Sequence, residues 1–194
     1  IVVDNNSGDG SGAMVKEKFP LVILIENKKN LGFAKANNIG ISRSKGDLFL
    51  FLNSDTVVKK ETLEKIEEKM QDKSIGLLGV KLVYPDGRFQ EEFYRKFPFL
   101  TQTIFLYLYP LNRLTLKFGF LRKRYLSDIK GEKSGWLENV NIPGACLAVR
   151  REVMEKIGGW DENFWFWMED MDLCQRALQA GFKQYFLAEA EVLH

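Results

Sequence analysis

Leu48-Phe49-Leu50-Phe51-Leu52-Asn53-Ser54-Asp55 reads as an unbroken apolar strand that stops abruptly in three polar residues. A strand that is apolar on both faces belongs inside a sheet covered on both sides, because a strand with one wet face would alternate. Upstream of it, residues 1–3 form a β-branched run, a polar turn follows over 4–11, and 21–25 predicts a second strand. A helix then runs through Ala34, Asn38, Ile41 and Ser42. Downstream, a helix over about 60–71 places Leu63, Ile66 and Met70 on one face. A strand over 75–84 ends in the turn Pro85-Asp86-Gly87. Regular pattern returns with a strand at 145–149, a helix at 152–157 and a helix at 169–180 that turns Leu173, Cys174, Ala177 and Leu178 inward. This alternation predicts an α/β fold with a mostly parallel sheet and right-handed crossovers. Ligands in such sheets bind beyond the carboxyl ends of the strands. The polar clusters at 4–11 and 53–55 both follow strands, which predicts that they share one rim.

The 194 residues suit a single domain. Lys plus Arg is 28 against 26 for Asp plus Glu, a net charge of +2, so no nucleic-acid partner is expected. At 45% hydrophobic and 28% charged residues, general disorder is excluded. Cys146 and Cys174 make no disulfide framework and point to a reducing compartment. The longest uncharged run, 97–112, contains Pro98 and Pro110 and is shorter than the roughly 20 apolar residues of a spanning helix. With no secretory signal visible, the sequence predicts a soluble or membrane-surface domain on the cytoplasmic side. Both ends are cut inside strand-like runs, so the chain reads as trimmed at each end. Segment 93–135 differs in kind: it is aromatic, then basic, with seven Lys or Arg against two acids between Arg113 and Lys133.

Several clusters carry chemistry. Asn53 and Asp55 lie two apart, and in an extended chain such positions face the same way, so both oxygens can meet one hard cation such as Mg²⁺ or Mn²⁺. An Asx turn followed by a helix cap accounts for the same residues without metal. Asp4, Asn6 and Ser7 supply acceptors and a hydroxyl after the first strand, and an Asp carboxylate suits the imide N–H of a nucleobase. A capped turn is the plain alternative. Gly32 and Ala34 open a helix where small residues let a phosphate approach, although the glycine spacings of nucleotide-binding loops are missing. Asn37 and Asn38 are poor helix formers inside that helix, which suggests work for their amides, or else packing on the sheet. Glu169, Asp170 and Asp172 share one helical turn behind Trp160, Phe164, Trp165, Phe166 and Trp167. An aromatic wall would desolvate a carboxylate and make it a better base. Acids at a helix start also answer the helix dipole, and Asp172 can pair with Arg176 at i, i+4. His194, the sole histidine, becomes a metal ligand only where the fold returns it to the metal.

Taken in order, these segments resemble a family 2 glycosyltransferase of the GT-A fold, most like its rhamnosyltransferase-type branch. The resemblance rests on Val3-Asp4-Asn5-Asn6-Ser7 with Asp9-Gly10-Ser11, on Asn30-Leu31-Gly32-Phe33-Ala34 with Asn37, Asn38 and Gly40, and on Phe51-Leu52-Asn53-Ser54-Asp55. It continues through Gly144-Ala145-Cys146 with Arg150-Arg151, Gly158-Gly159-Trp160-Asp161-Glu162, and Glu169-Asp170-Met171-Asp172-Leu173 with Arg176 and Gly181.

The resemblance implies a Rossmann-like sheet flanked by helices, one GT-A domain over 1–194, with the family's first strand and helix lying ahead of Ile1. It implies an inverting transfer of a sugar from a nucleoside diphosphate sugar donor to a hydroxyl of a glycan or lipid-linked acceptor. Asp4 would hold the nucleobase, with Asn6 and Ser7 near the nucleoside and Gly32, Ala34 and Asn37 on the donor side. Asn53 and Asp55 stand where the family has its DXD motif, Asn53 replacing the first acid and Asp55 binding a divalent metal, Mg²⁺ or Mn²⁺. Asp170 would deprotonate the acceptor, supported by Glu169 and Asp172, and His194 matches a position that can ligate the metal. Segment 93–135 matches no motif; it suits an acceptor dock at a membrane surface or a helical lid. Inversion needs one displacement, with a base opposite the leaving diphosphate. A sugar nucleotidyltransferase shares the topology but wants a Gly- and Arg/Lys-rich loop after its first strand, which is not visible. A truncated domain that binds nucleotide without turnover is the non-enzymatic alternative.

Overall fold

The computed structural model of the chain describes residues 1–96 and 129–194. Strands β1 (Val2–Asp4) and β2 (Leu24–Glu26) pair in parallel, Val3 opposite Ile25, with helix α1 (Ser11–Lys18) between them in sequence. Helix α2 (Phe33–Arg43) leads into β3 (Leu48–Leu52), then come β4 (Val57–Val58), α3 (Lys60–Lys69) and β5 (Ile75–Val83). The second half holds β6 (Gly135–Leu137), β7 (Cys146–Arg150), α4 (Arg151–Ile157), α5 (Glu169–Gln179) and the long β8 (Lys183–Leu193). The expected strand at 21–25 begins only at Leu24, and Leu21 is almost fully exposed.

Among the described residues the larger sheet has six strands, in the order β3-β7-β5-β8-β4, with β6 also on β8. Within it only β5 and β8 pair in parallel; β7 runs antiparallel to both β3 and β5, and β4 and β6 run antiparallel to β8. The expected mostly parallel sheet is thus corrected to a mixed one. Strands β3, β5 and β8 do share a direction, but β7 is threaded against them. The ladder extends to the rim, where the Asn53 N–H, just past β3, donates to the Ala145 carbonyl, just ahead of β7, at 3.0 Å. A strand that begins where its neighbour ends must run back along it.

Successive sheet residues alternate between two apolar layers. Phe49, Phe51, Leu77, Leu147 and Val149 pack on one face with Ala34 of α2, Val153 of α4 and Leu173 of α5. Leu48, Leu50, Leu78 and Ala148 pack on the other with Ile66 of α3 and Met70. Both faces of β3 are therefore covered, which is why its sequence shows no polar alternation. Buried Trp160 meets Phe33 (5.5 Å) and Phe51 (5.1 Å) edge-on, contacts worth about 0.5–1.5 kcal/mol per pair beyond burial. Of segment 93–135, residues 97–128 lie outside the described residues. Among the described residues, no helix is long and apolar enough to cross a membrane.

Candidate active site

The register of β4 on β8, with Val57 opposite Leu193, carries the residues just ahead of β4 to the end of β8. Asp55 thereby meets His194, Oδ1 to Nε2, at 3.6 Å. The His194 N–H donates to the Val83 carbonyl (3.0 Å), and its ring lies edge-on to Phe93. The Gln90 amide Nε2 donates to the His194 carbonyl (2.6 Å), while its Oε1 lies 3.1 Å from Nδ1 of the ring. The Asp55 side chain is 73% exposed and that of His194 only 15%, so an open carboxylate faces a held imidazole. A hard oxygen beside an imidazole nitrogen is a donor set that suits a divalent cation. Among the described residues no cluster of three or more His, Cys, Asp or Glu could hold an ion alone, so substrate oxygens and water would complete the shell. Asn53 builds the turn at the end of β3 with its backbone: its carbonyl accepts from the Thr56 N–H (3.3 Å) and the Thr56 hydroxyl (2.8 Å).

A second group of acids opens α5. Asp170 Oδ2 accepts from the Gly144 N–H (3.3 Å) and Oδ1 from the Met171 N–H (2.8 Å). Burial raises the pKa of this carboxyl above its ordinary range; those N–H bonds and the charge of Arg95 pull the other way without cancelling it. Glu169 is buried beside it, with Oε2 lacking a hydrogen-bond partner among the described residues. Its pKa is raised by burial first, with the charge of Asp170 adding to the effect. Gly144 and Ala145 therefore join the two groups, one holding Asp170 and the other holding Asn53 at the end of β3.

Asp172 turns to a different task. Its Oδ2 accepts from Arg176 Nε at 2.6 Å, and Arg176 Nη1 donates to the carbonyls of Ile157 (2.8 Å) and Gly159 (2.9 Å). It braces the end of α4 against α5. The aromatic wall expected around the acids is also corrected. Trp160 lies in the core, but Trp165, Phe166 and Trp167 are 60–66% exposed, so those three rings form no closed wall. Trp167 (φ 76°) and Met168 (φ 73°) adopt the left-handed conformation immediately before α5, an unusual strain for two bulky residues.

On the other side of α2, Asp4 Oδ1 accepts from the Ser7 N–H (3.0 Å) and Asn6 adopts a left-handed φ of 68°. Asn5, which the sequence presents only as a turn former, holds this region together. Its Oδ1 accepts from the Leu31 N–H (3.0 Å) and Asn27 (3.2 Å), and its Nδ2 donates to Asn30 (2.8 Å) and the Gly32 carbonyl (3.2 Å). The signal available was three asparagines, 5, 27 and 30, each within a few residues of a strand end. The start of α2 is not open to a phosphate as expected. The Gly32 N–H donates to Asn30 (2.9 Å) and the Phe33 N–H to the Trp165 carbonyl (3.0 Å). Gly32 (φ 84°) lies so close that a Cβ there would sit 2.8 Å from that same oxygen. Ala34 is wholly buried in the core. Small residues here admit Trp165 and the sheet. Asn37 donates to the Phe33 carbonyl of its own helix (3.0 Å), and Asn38 clamps Trp160 by accepting from its N–H (2.9 Å) and donating to its carbonyl (2.8 Å).

Comparison with known proteins agrees with this architecture. The sequence profile of glycosyl transferase family 2 matches residues 1–158, and that described as the N-terminal domain of galactosyltransferase matches 134–192. The N-acetylglucosaminyl-diphospho-decaprenol L-rhamnosyltransferase of Mycobacterium tuberculosis is 27% identical over 210 residues, covering 100% of this chain and 65% of that protein. The O-antigen chain rhamnosyltransferase WbaN of Salmonella anatum is 25% identical, over 100% of this chain and 55% of its own length. The O-antigen biosynthesis protein RfbC of Myxococcus xanthus is 25% identical, with 100% and 14% covered. The chain thus spans less than two thirds of the length of these relatives. Among solved structures, the mannosyltransferase PcManGT of Pyrobaculum calidifontis, in complex with GDP-Man and Mn²⁺, superimposes with a TM-score of 0.65 at 18% identity, over 100% of this chain and 46% of that one. TarS 1-349 of S. aureus, in complex with UDP, gives 0.61 at 16%, over 100% and 49%. These likenesses establish the GT-A fold, and with the profile match over 1–158 the chain belongs to glycosyl transferase family 2, with rhamnosyltransferases among its relatives.

Proposed function

We propose that this domain is the catalytic domain of an inverting glycosyltransferase, moving a sugar from a nucleoside diphosphate donor to a hydroxyl of a glycan or lipid-linked acceptor. The observation that carries the reading is the meeting of Asp55 and His194 at 3.6 Å, brought together by the β4–β8 register. Asp4, with Asn6 and Ser7, takes the nucleobase and nucleoside, and the Asn53 side chain faces the diphosphate. When bound at Asp55 and His194, a divalent metal, Mg²⁺ or Mn²⁺, supplies charge neutralisation at the departing diphosphate. Asp170 takes the proton from the acceptor hydroxyl as that oxygen bonds to the anomeric carbon and the carbon–oxygen bond to the diphosphate breaks. Its raised pKa suits a base. Asp172 acts by bracing Arg176, and Asn5, Gly32 and Ala34 as the frame of the donor side. We assign acceptor docking to segment 93–135 and to the exposed Trp165, Phe166 and Trp167 beside the base. The relative acting on a diphospho-decaprenol substrate favours a lipid-linked acceptor and hence work at the cytoplasmic membrane face.

A thermal-shift panel with UDP, dTDP and GDP, each with and without Mn²⁺, tests this reading. A ligand at 100 times its Kd adds about 2.7 kcal/mol of stability. A metal-dependent shift with one base is the expected result; equal shifts with and without metal, or none with any base, would overturn it.

A further inference from the structure

Gln90 follows the turn after β5, is 1% exposed, and is anchored by its own N–H to the Leu82 carbonyl at 3.0 Å. Its amide makes both of its close polar contacts with one residue, His194. The orientation of that amide is decided by chemistry. The His194 carbonyl only accepts, so the amide atom at 2.6 Å from it is the donating Nε2. Oε1 must then be the atom at 3.1 Å from Nδ1 of the ring. An amide oxygen also only accepts, so Nδ1 carries the proton, and a neutral imidazole protonated there keeps its lone pair on Nε2. Nε2 is the atom that faces Asp55 Oδ1, at a distance too long for a hydrogen bond. The edge of Phe93, 5.7 Å between ring centres, limits rotation of the imidazole.

We propose that Gln90 is a positioning residue: it fixes the tautomer and orientation of His194 so that the Nε2 lone pair faces the cation site shared with Asp55. The inference rests on the metal reading of that pair. An amide oxygen on the far nitrogen of a ligating histidine orients the ring and raises its basicity, and loss of such a partner weakens metal binding by about 10–100-fold.

His194 is the sole histidine of the chain, so ¹⁵N-histidine labelling gives one imidazole and needs no assignment. Long-range ¹H–¹⁵N correlation on the metal-free protein at pH 8 reads the tautomer directly. Wild type is expected to show a protonated Nδ1 and an unprotonated Nε2. Gln90→Leu, or Gln90→Met where the shorter side chain fails to fold, is expected to bring in the Nε2-protonated form and to weaken Mn²⁺ binding, counted by EPR, at least about tenfold. A wild-type ring protonated on Nε2 overturns the proposal before any variant is made, as does a folded variant with unchanged tautomer. The underlying metal reading fails separately: Mn²⁺ that leaves the wild-type His194 signals unbroadened would refute it, whichever tautomer is found.

Discussion

The corner at Asp55 and the corner at Asp170 both present carboxylates, and they are built on opposite principles. Asp55 is 73% exposed, and its partner His194 arrives from the far end of the chain through the register of two strands. Asp170 is half-buried at the start of a helix, takes two backbone N–H bonds, and is held above the ordinary carboxylate pKa by partial desolvation. An exposed carboxylate is open to a cation and to a bulky diphosphate. A partly desolvated one gains basicity, which a proton-accepting role uses. The two short contacts of Gly144 and Ala145 tie both corners to the same rim. The division of labour proposed for them follows from where each acid sits relative to water.

The sharpest way to break this contrast is to neutralise each corner in turn. Asp170→Asn is expected to cut the rate of sugar transfer by about 10²–10⁴-fold while leaving the Mn²⁺-dependent nucleotide shift intact. Full transfer by this variant would end its assignment as base. Because burial raises its pKa, the acid limb of the wild-type kcat/KM profile, which reports the free enzyme, should lie above the ordinary Asp value of about 3.9. Asp55→Ala should do the reverse, removing the metal dependence of nucleotide binding. A metal's electrostatic contribution of several kcal/mol corresponds to a loss of more than about 10²-fold. EDTA treatment of wild type should reproduce that loss; a variant that still responds to Mn²⁺ would move the metal elsewhere.

Asp172 sharpens the comparison because it shares a helical turn with Asp170 yet spends its charge on Arg176. Asp172→Asn removes a charge-assisted hydrogen bond from a partly buried brace, expected to cost about 1.5–3 kcal/mol in urea unfolding. Transfer per folded molecule should change little, in contrast with the large loss at Asp170. A stable Asp172→Asn protein with transfer collapsed would place Asp172 in the chemistry instead.

What the sequence showed and what it hid separate along physical lines. The apolar run at β3, the inward Leu173, Cys174 and Ala177 of α5 and the acids at its start are local patterns, readable because their periodicity follows from one element's burial. On α3 the expected face is corrected: Ile66 and Met70 are buried, but Leu63 is 43% exposed, and Thr62, whose hydroxyl donates to the Glu191 carbonyl, takes the inward position instead. Helix α1 was missed because Ala13, Met14 and Val15 are consecutive and make no stripe, and it buries only Gly12 and Val15. Strand β6 has three residues, too few for a pattern. The direction of β7 depends on which rim the chain re-enters, and no residue of Cys146–Arg150 records that. Asn5 and Gln90 act through partners 22–27 and 104 residues away respectively, so nothing in their own surroundings in the sequence marks those contacts. The meeting of Asp55 and His194 had the same obstacle, and only the family resemblance suggested it.

The smallest effect, and the most direct test of burial at the second corner, comes from Glu169. Its Oε2 is buried without a partner among the described residues, and burial raises its folded-state pKa. In the unfolded chain the group titrates near its ordinary value of about 4.3. Below that value both states are protonated and the burial of charge costs nothing. As pH rises through the raised folded-state value, the native protein comes to hold a poorly solvated carboxylate, so its stability falls across that window and stays lower above it. Glu169→Gln carries no charge in either state and escapes this fall. The variant should therefore melt at a higher temperature than wild type near pH 7, with the gain vanishing on acidification below about pH 4. A Glu169→Gln difference that is constant across pH would mean that its carboxylate is relieved by water in the native protein, and that the two corners differ less in solvation than their exposures imply.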